Sequence, residues 1–575
     1  MQPRNLIALS ILHVLALSLA TVTAAAADWP MWRGDAGRSG ATTASLPDTL
    51  RLQWTLQLPR LKPAWQEDSR LQFDAAYQPI VVGKRLIVAS SRNDSVSSYD
   101  TDSGKRQWRF FTDGPVRFAP LSHDGKLYFG ADDGCVYCLD VSSGKQLWKF
   151  RAAPGDRRVL GNERLISVWP VRSGLVMHEG RLFFTAGVWP FEGTFLYTLD
   201  AGRGTLLKMD NLVAAVTTPM GSPTTLQDRC PQGYLAISGD RLFVPCGRAN
   251  ACCFSLSTGK PVLLQYNGSK LADYQVAASG SWLVQGDTIV NVDARQVLGL
   301  NAFHPVITGG QIYFSHLGEV MGLDLENQRE VEVDQKGKKI KTRVPNLLCR
   351  FRDEPVAQID LKTGNRLYGH AANVVYALDV LRPGEKGQVS WRAAFEGEPA
   401  SMLAGDDKLF VVTREGEISC FGTGEALPVR HEEPSVVELT VNTQSPTAER
   451  VSTILKRAPA RDGYGLVLGI ESIDFIEHLV RQSQLQLIVI DANADKVADL
   501  RRLLDAAGLY GTRVAAVHAD PLTTSLPPYM AQLAVADELA ALTVDSSTIA
   551  VETVFQSLRP YGGVAFPQYV LGAWW

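Results

Sequence analysis

The chain has 575 residues, with 57 Lys and Arg against 60 Asp and Glu, so its formal net charge is −3. Hydrophobic residues at 45% and charged residues at 20% are ordinary for a globular protein, and they exclude a wholly disordered or membrane-embedded chain. Without an excess of positive charge, bulk electrostatics does not favour nucleic acid or anionic lipid, and no nucleic-acid partner is predicted.

The first 27 residues differ from the rest of the sequence. Arg4 precedes a mostly apolar run from Leu6 to Leu19, and Ala24–Ala27 supplies small residues for cleavage. This pattern is typical of a signal peptide, and its core is shorter than the ~20 residues that span a bilayer. No Cys follows for a lipid anchor, and an uncleaved N-terminal anchor is the alternative. No later apolar run reaches ~18 residues, so we predict an exported mature chain in the periplasm or cell envelope, without a transmembrane span.

Export would permit disulfides among the eight cysteines. Cys135 and Cys138 have the spacing of a redox or zinc half-motif, but no second such pair completes a zinc site. Alternation along a strand would place the two side chains on opposite faces, so a structural role is predicted. A disulfide between Cys230 and Cys246 is compatible with the sequence but does not follow from it.

The middle of the chain repeats. Tyr99–Trp108 and Leu139–Trp148 lie 40 residues apart and share Asp, Gly, Lys and Trp at equivalent positions. Weaker copies follow at 199–204, 254–260, 323–325, 359–364 and 378–380. A glycine turn leading into a short apolar strand precedes several copies, at 83–88, 125–129, 180–184 and 239–244.

Each unit therefore has a strand, a turn, a strand, an Asp-x-x-x-Gly turn and a strand that contains Trp. Short strands with glycine turns at this period indicate a β-propeller, because a four-stranded blade cannot bury both faces alone. The Asp can accept hydrogen bonds from backbone N–H groups of its turn, and the Gly can adopt positive φ. We predict an all-β propeller of seven or eight four-stranded blades over 28–425, with the Trp side chains between blades.

The repeat resembles the PQQ-like repeats of quinoprotein dehydrogenases and of the BamB-type scaffold of outer-membrane protein assembly. Asp28–Gly34 also looks like the N-terminal signature of exported PQQ-like propeller proteins. The quinoprotein resemblance implies PQQ in the funnel, Ca²⁺ on carboxylate and amide ligands, a Trp beneath the quinone and often a vicinal disulfide above it. Cys252-Cys253 could supply the disulfide, but the repeat alignment places the pair in a blade strand. No Ca²⁺-ligand constellation stands out.

Three loops are unusually elaborated, and they contain Trp169-Pro170, Trp189–Gly193 and Pro231–Gly233. Aromatic residues beside Pro on loops can form a recognition surface or can pack between blades, and both readings stay open. By resemblance, BamB-type scaffolds hold partners with exposed propeller loops, so a protein or envelope component is the predicted partner. The charged stretch 326–345 is predicted to be an exposed hairpin or loop.

After residue 425 the pattern changes. Residues 426–446 are polar and contain several Pro, as in a linker, and 447–575 alternates helices with strands as parallel βαβ units do. This part resembles the Rossmann-like fold of class I SAM-dependent methyltransferases. In that family an acidic residue after strand two binds the ribose hydroxyls and a later Asp lies near the adenine. Asp491 and Asp520 match these two positions.

The glycine-rich loop of that family is not matched, because Glu471 and Ile473 stand where glycines are expected. Ile cannot readily adopt a glycine conformation, and Glu471 would place a carboxylate near that of the cofactor. Leu526–Tyr529 echoes the Asn/Asp-Pro-Pro-Tyr motif of amino-methyltransferases but precedes strand four, so we expect a loop. Two further antiparallel strands usual in the family are not found before Trp575, which leaves open whether the domain is complete.

These observations favour an exported, non-catalytic scaffold or binding protein whose propeller contacts a protein or envelope component. Its C-terminal domain would be a degenerate methyltransferase-like domain, with Asp491 and Asp520 marking a vestigial SAM site. The alternatives are a SAM-dependent methyltransferase that uses these two residues and a PQQ-dependent quinoprotein oxidoreductase. No catalytic residue, metal ligand or bound cofactor is predicted for the favoured function.

Overall fold

The computed structural model describes residues 28–212, 230–247, 249–262, 273–299, 305–335, 338–352, 358–380, 388–433, 444–458, 461–521, 523–536 and 547–566. The predicted signal peptide, 1–27, lies outside the described residues. In the part of the chain that the structure describes, no helix is long and apolar enough to cross a bilayer.

Eight antiparallel sheets form the blades of a propeller, numbered here along the chain. First strands of neighbouring blades contact one another, so they surround the axis and the fourth strands lie outermost. Blade 1 has the strands Ile80–Val82, Arg85–Ser90, Ser95–Asp100 and Arg106–Phe111, and blade 2 has Leu121–His123, Lys126–Gly130, Cys135–Asp140 and Gln146–Arg151. Blade 3 has Val176–His178, Arg181–Ala186, Phe195–Asp200 and Leu206–Asn211, and blade 4 has Ala236–Ser238, Arg241–Cys246, Ala249–Ser255 and Pro261–Val262.

Blades 5 to 8 complete the ring. Blade 5 has the strands Val276–Ser279, Trp282–Gln285, Thr288–Asn291 and Gln296–Gly299, and blade 6 has Val306–Thr308, Gln311–His316, Glu319–Gln335 and Lys338–Phe351. Blade 7 has Gln358–Thr363, Arg366–Ala371, Val374–Asp379 and Gln388–Ala394, and blade 8 has Pro399–Gly405, Lys408–Thr413, Glu417–Gly422 and Arg51–Gln57. The propeller thus has eight blades, the larger of the two predicted numbers. The long hairpin of blade 6 confirms the hairpin predicted within 326–345.

Blade 8 closes the ring with strands from both ends of the propeller sequence. Its fourth strand, Arg51–Gln57, pairs antiparallel with Glu417–Gly422. A further strand, Val429–Glu432, adds parallel to Arg51–Gln57, so the segment predicted as a linker begins inside this sheet. The closure therefore joins residues that are far apart in sequence by backbone hydrogen bonds.

The repeated Asp, Gly and Trp have the roles that the sequence predicts. Asp140 Oδ1 accepts hydrogen bonds from the backbone N–H groups of Ser142 and Ser143, and Gly144 has a φ of +70°. Trp108 of blade 1 donates from Nε1 to a carbonyl of blade 2 at 3.2 Å. A Cβ on Gly144 would come within 2.6 Å of that Trp108 ring, so the glycine makes room for the neighbouring blade's tryptophan.

Several short strands and helices lie between the regular strands of the blades. Ala41–Thr42 pairs parallel with the first strand of blade 7, and Ser173–Gly174 pairs parallel with Gly233–Tyr234. The hairpin Arg158–Gly161 and Arg164–Ser167 lies between blades 2 and 3. Two 3-10 helices are present at Ser69–Leu71 and Pro190–Glu192.

A separate sheet follows the propeller. Its five strands are all parallel and lie in the spatial order third, second, first, fourth, fifth. Ser445 and Asn493 cap the N-termini of the first and third helices through their side chains. In chain order the strands are Tyr464–Leu468, Gln486–Asp491, Val514–His518, Ala531–Ala536 and Val564–Phe566, and the helices are α1 (Pro446–Arg457), α2 (Ile473–Gln482), α3 (Ala494–Ala506) and α4 (Ser547–Ser557).

Candidate functional site

The N-terminal signature runs along the inside of the propeller ring. Residues 29–42, called here the axial segment, make backbone hydrogen bonds to the first strands of blades 1, 2, 4, 5, 6 and 7. These contacts are Trp29 with Val81, Pro30 with Ser122, Ala36 with Ile237, Gly37 with Ala278, Ser39 with Ile307 and Gly40 with Lys362. Since the first strands surround the axis, the axial segment fills part of the central channel.

Arg38 anchors the axial segment. Its side chain is fully buried and donates hydrogen bonds to the carbonyls of Leu235 and Leu175, both at 2.7 Å, and of Trp32 at 3.1 Å. Burial lowers the pKa of Arg38 to about 10. Trp32 in turn stacks on Tyr234, with ring centroids 3.9 Å apart. The segment is therefore held by charge-assisted hydrogen bonds and aromatic packing across blades 3 and 4.

A cavity of about 620 Å³ lies on the axis beside this segment. One end of the propeller carries the loops between the second and third strands of each blade and the loops between successive blades. This end is called here the loop face, and the cavity reaches it. The axial segment contributes Trp29, Trp32 and Arg33 to its wall. Other lining residues are Arg70, Gln72, Gln78, Asp273, Tyr274, Gln275, Asp287, Gln358, Asp360, Ser401 and Arg414.

Burial and ion pairing shift the pKa values of two titratable groups at this axial cavity. Burial raises the pKa of Asp273 to about 7, although its carboxylate accepts a 2.9 Å bond from the Gln275 N–H. Asp360 lies 2.8 Å from Nδ1 of His370. Burial alone would lower the pKa of His370, but the Asp360 carboxylate raises it overall. The cavity wall therefore combines a buried carboxyl group of raised pKa, Asp273, with an Asp360 carboxylate that is already paired with His370.

The described residues of the cavity do not form the PQQ and Ca²⁺ site that the quinoprotein resemblance implies. Among them, no group of three or more His, Cys, Asp or Glu side chains is arranged to hold a metal ion. Trp32 already stacks on Tyr234. Cys252 and Cys253 lie in the third strand of blade 4, as the repeat alignment predicts, and pack into different hydrophobic clusters.

The cysteines of the half-motif are structural. Cys135 and Cys138 lie in one strand of blade 2 and pack into two different hydrophobic clusters, as alternation predicts. Burial raises the pKa of the Cys138 thiol to about 11, which disfavours the reactive thiolate. All eight cysteines lie within the described residues, and none of them is joined in a disulfide there. Cys246 has its Sγ 3.6 Å from that of Cys252, a partner that the sequence did not suggest.

Aromatic side chains of two predicted contact loops meet on the loop face. Trp189 is 44% exposed and Phe191 is 81% exposed, and their ring centroids are 6.1 Å apart with planes 22° apart. Trp65 from the loop before blade 1 contacts Trp189 edge-on at 5.9 Å. Trp169 is half-buried and packs in the cluster, whereas Phe191 faces solvent. Packing therefore accounts for Trp169, and recognition by the exposed rings stays a prediction.

The two residues of the predicted SAM site lie at the carboxyl ends of neighbouring strands. Asp491 is buried, and its oxygens accept 2.6 Å hydrogen bonds from the N–H groups of Ile470 and Asn493. Asp520 is exposed two residues after Val514–His518 ends. Ile473 begins α2 and Glu471 is exposed just before it. The Asp491 carboxylate therefore links the loop before α2 to the loop before α3 through hydrogen bonds.

A buried polar network joins the parallel sheet domain to the propeller. Arg501 of α3 donates to Asp113 Oδ1 at 2.7 Å. Lys149 of blade 2 contacts the other oxygen of Asp113 at 3.1 Å. The N–H of His518 also donates to Asp113, at 3.1 Å, so the edge strand of the sheet is bound directly. Charges on both sides are thus paired instead of being left buried alone.

A second cluster extends this interface across blade 1. Arg109 pairs with Asp505 of α3 and donates to Glu433 Oε2 at 2.5 Å. Asn93 donates to Asp505 Oδ1 at 2.7 Å. Phe111 packs edge-on against Tyr510, with ring centroids 5.5 Å apart. The loop face of blades 1 and 2 is therefore a protein-binding surface within the chain itself.

Comparison with known proteins agrees with the propeller. Residues 47–333 match the family model described as outer membrane protein assembly factor BamB. The matched residues span about half of the chain and, together with the eight blades, support a BamB-type, PQQ-repeat β-propeller. A comparison with curated proteins found no match.

Three solved structures illustrate the range of similar folds. BamB from Moraxella catarrhalis is 13% identical, with 66% of this chain and 99% of that chain covered and a TM-score of 0.30. Quinohemoprotein alcohol dehydrogenase from Comamonas testosteroni is 12% identical, with 74% and 85% covered and a TM-score of 0.44. A europium-containing methanol dehydrogenase is 12% identical, with 69% and 98% covered and a TM-score of 0.44. These values are too low to support an inference of function.

Sequence reasoning missed the residues of the axial cavity and of the domain interface. Asp273 has no motif around it, and its burial comes from the closed ring of blades. Asp113 and Arg501 lie far apart in sequence and meet only after both domains fold. The one available signal was the Asp28–Gly34 signature, which identified the axial segment without showing where it lies.

Proposed function

We propose that the protein is an exported scaffold of the cell envelope that binds a protein or envelope component through the loop face of its propeller. One observation carries this proposal: the loop face of blades 1 and 2 already holds a folded domain through the Arg501–Asp113 and Arg109–Asp505 contacts. The rest of that face, with Trp189 and Phe191 exposed, is available to a second partner. The likeness of residues 47–333 to the BamB family model supports a role in protein interactions.

The parallel sheet domain fits the same role. We propose that it is a degenerate methyltransferase-like domain retained for docking, since its sheet order and the acidic residues Asp491 and Asp520 follow the methyltransferase pattern. The Asp491 carboxylate is buried against two backbone N–H groups, which leaves it poorly placed to receive ribose hydroxyls. The exposed Glu471 adds negative charge beside the same loop.

Site-specific photocrosslinking in cells of the source organism tests the scaffold. A photoreactive amino acid replaces Phe191 on the loop face of the full chain, and Leu207 on the outer strand of blade 3 serves as the matched exposed control. We expect a discrete adduct from position 191 and none from position 207. Equal labelling at the two positions, or no adduct at either, would contradict the proposal.

A further inference from the structure

Trp65, Trp189 and Phe191, called here the aromatic platform, form a partly open apolar surface on the loop face. Phe191 is 81% exposed and Trp189 is 44% exposed, although such rings are usually buried in globular proteins. The planes of Trp189 and Phe191 differ by only 22°, so both rings present similarly oriented faces. Trp65 stands nearly perpendicular to Trp189, at 83°, and bounds the platform on one side.

Hydrogen bonds and an ion pair hold the residues of the platform in place. The indole of Trp169 donates a 2.6 Å hydrogen bond to the carbonyl of Glu192, and the guanidinium of Arg157 lies 5.2 Å over the Trp169 ring and pairs with the Glu192 carboxylate. Trp65 Nε1 donates to Gln232 Oε1 at 2.8 Å. Pro190 begins the short helix that carries Phe191. The rings are thus held in place before any ligand arrives, which lowers the entropy cost of binding.

The charged side chains near the platform are paired with one another. Arg157 pairs with Glu192, and Asp156 pairs with Arg151 at 2.7 Å and with Arg158 at 3.4 Å. Arg157 and Glu192 are at least a quarter exposed, so they can still offer hydrogen bonds to a ligand. An apolar surface whose neighbouring charges are already paired suits a neutral, hydroxyl-rich molecule better than an anion or a cation.

We propose that the aromatic platform binds a neutral carbohydrate chain. This proposal rests on the proposed function, because it names the envelope component that the loop face would contact. A pyranose ring has an apolar face of C–H groups that can pack on Trp189 or Phe191, and its rim of hydroxyls can bond to Glu192 and Arg157. Both requirements are met within one preorganised loop.

The size of the surface favours a carbohydrate over a folded protein. An aromatic side chain buries at most about 250 Å². Since Phe191 is 81% exposed, Trp189 is 44% exposed and Trp65 is less exposed than either, the three rings together leave less than about 500 Å² open. Each partner in a stable protein interface buries about 800 Å². A chain of two or three sugar rings fits the smaller footprint, and the fixed rings compensate for the limited area.

Titration of the mature full chain with chitotetraose and with cellotetraose tests this proposal by calorimetry and tryptophan fluorescence. We expect binding of at least one tetrasaccharide, with at least a tenfold weaker affinity in Trp189→Ala and in Phe191→Ala. Phe555→Ala, which removes a ring that is 73% exposed on α4, should bind as the parent does. Melting curves of all variants verify that they are folded.

No binding of either tetrasaccharide to folded protein would overturn the proposal, and so would binding that both platform variants retain. The proposed function is tested separately, by the crosslink from position 191. A protein adduct at that position without tetrasaccharide binding would leave the scaffold intact and would assign the platform to a protein partner.

Discussion

The guanidinium of Arg501 donates a 2.7 Å hydrogen bond to Asp113, which joins helix α3 to the loop between blades 1 and 2. Both side chains are nearly buried, with 8% and 12% of their surfaces exposed. Burial alone would raise the pKa of Asp113, but the charges of Arg501 and Lys149 outweigh it and lower the pKa overall. The pairing therefore favours the charged form of Asp113.

Removal of Arg501 should weaken the attachment of the parallel sheet domain to the propeller. Arg501→Ala leaves Asp113 as a buried charge that has lost one partner, which costs about 3–5 kcal/mol of unfolding free energy. Arg502→Ala is the matched control, because Arg502 is 65% exposed and its loss should change stability by about 0.5 kcal/mol at most. Denaturant unfolding measures both.

Arg501 also bonds to the Ala516 carbonyl in its own domain, so the propeller side needs its own variant. Asp113→Ala should likewise increase amide hydrogen exchange in the edge strand Val514–His518, since the His518 N–H loses its acceptor. Exchange rates in this strand that equal those of the parent protein would show that the network does not hold the domain.

Substitution of Gly144 and of Gly125 should distinguish backbone strain from overpacking between blades. Both have a φ of +70°, but a Cβ on Gly144 would lie 2.6 Å from Trp108, whereas nothing lies within 4 Å of one on Gly125. Gly125→Ala should cost about 1 kcal/mol through backbone strain alone. Gly144→Ala should cost roughly 1–3 kcal/mol more, from overpacking between blades. Equal losses in thermal unfolding would show that the interblade contact is unimportant.

Asp273 should make stability depend on pH. Burial raises its pKa in the folded protein to about 7, from 3.8 for a free side chain. A raised folded-state pKa gives stability that is full below about pH 4 and is lost as the pH rises towards 7. Asp273→Asn carries no charge, so its advantage over the parent should grow across this window, to as much as about 4 kcal/mol at pH 8. A constant difference between pH 4 and 8, by denaturant unfolding, would argue against a buried ionising group.

Asp491 and Asp520 should respond differently to mutation. Asp491→Ala leaves the N–H groups of Ile470 and Asn493 without their acceptor, which should cost about 1–3 kcal/mol per group. Asp520→Ala, at an exposed position, should be nearly neutral. We expect calorimetric titration of the mature chain with S-adenosylmethionine to show no heat up to millimolar ligand. Micromolar binding that Asp491→Ala abolishes would instead support the methyltransferase alternative.

Local sequence predicted the blades well wherever a residue's role depends on its neighbours. The Asp140 turn and Gly144 need only a short segment and an adjoining blade, so the repeat pattern located them correctly. The copy at 359–364 was misleading. It belongs to Gln358–Thr363, the first strand of blade 7, and Asp360 lines the axial cavity instead of closing an outer turn. The same motif thus occupies a first strand in blade 7, where the axial segment pairs with it.

Contacts across the ring were beyond sequence reasoning for a physical reason. Arg33 reaches the carbonyl of Pro305 at 2.5 Å, and Arg38 reaches Leu235 at 2.7 Å, with no periodic signal that connects them. For Asp491, the sequence located the end of the strand but not the two N–H groups that its carboxylate binds. The direction of a side chain at a strand end depends on loops whose conformation is set by the whole domain.

Closure of blade 8 also determines an order of assembly. Arg51–Gln57 is synthesised early, yet its antiparallel partner Glu417–Gly422 emerges only after seven other blades have been made. Until then the early strand has unpaired backbone groups. The axial segment likewise completes its hydrogen bonds only when the first strands of blades 6 and 7 have been made. The two ends of the propeller sequence therefore become fixed together, in the last step of ring closure.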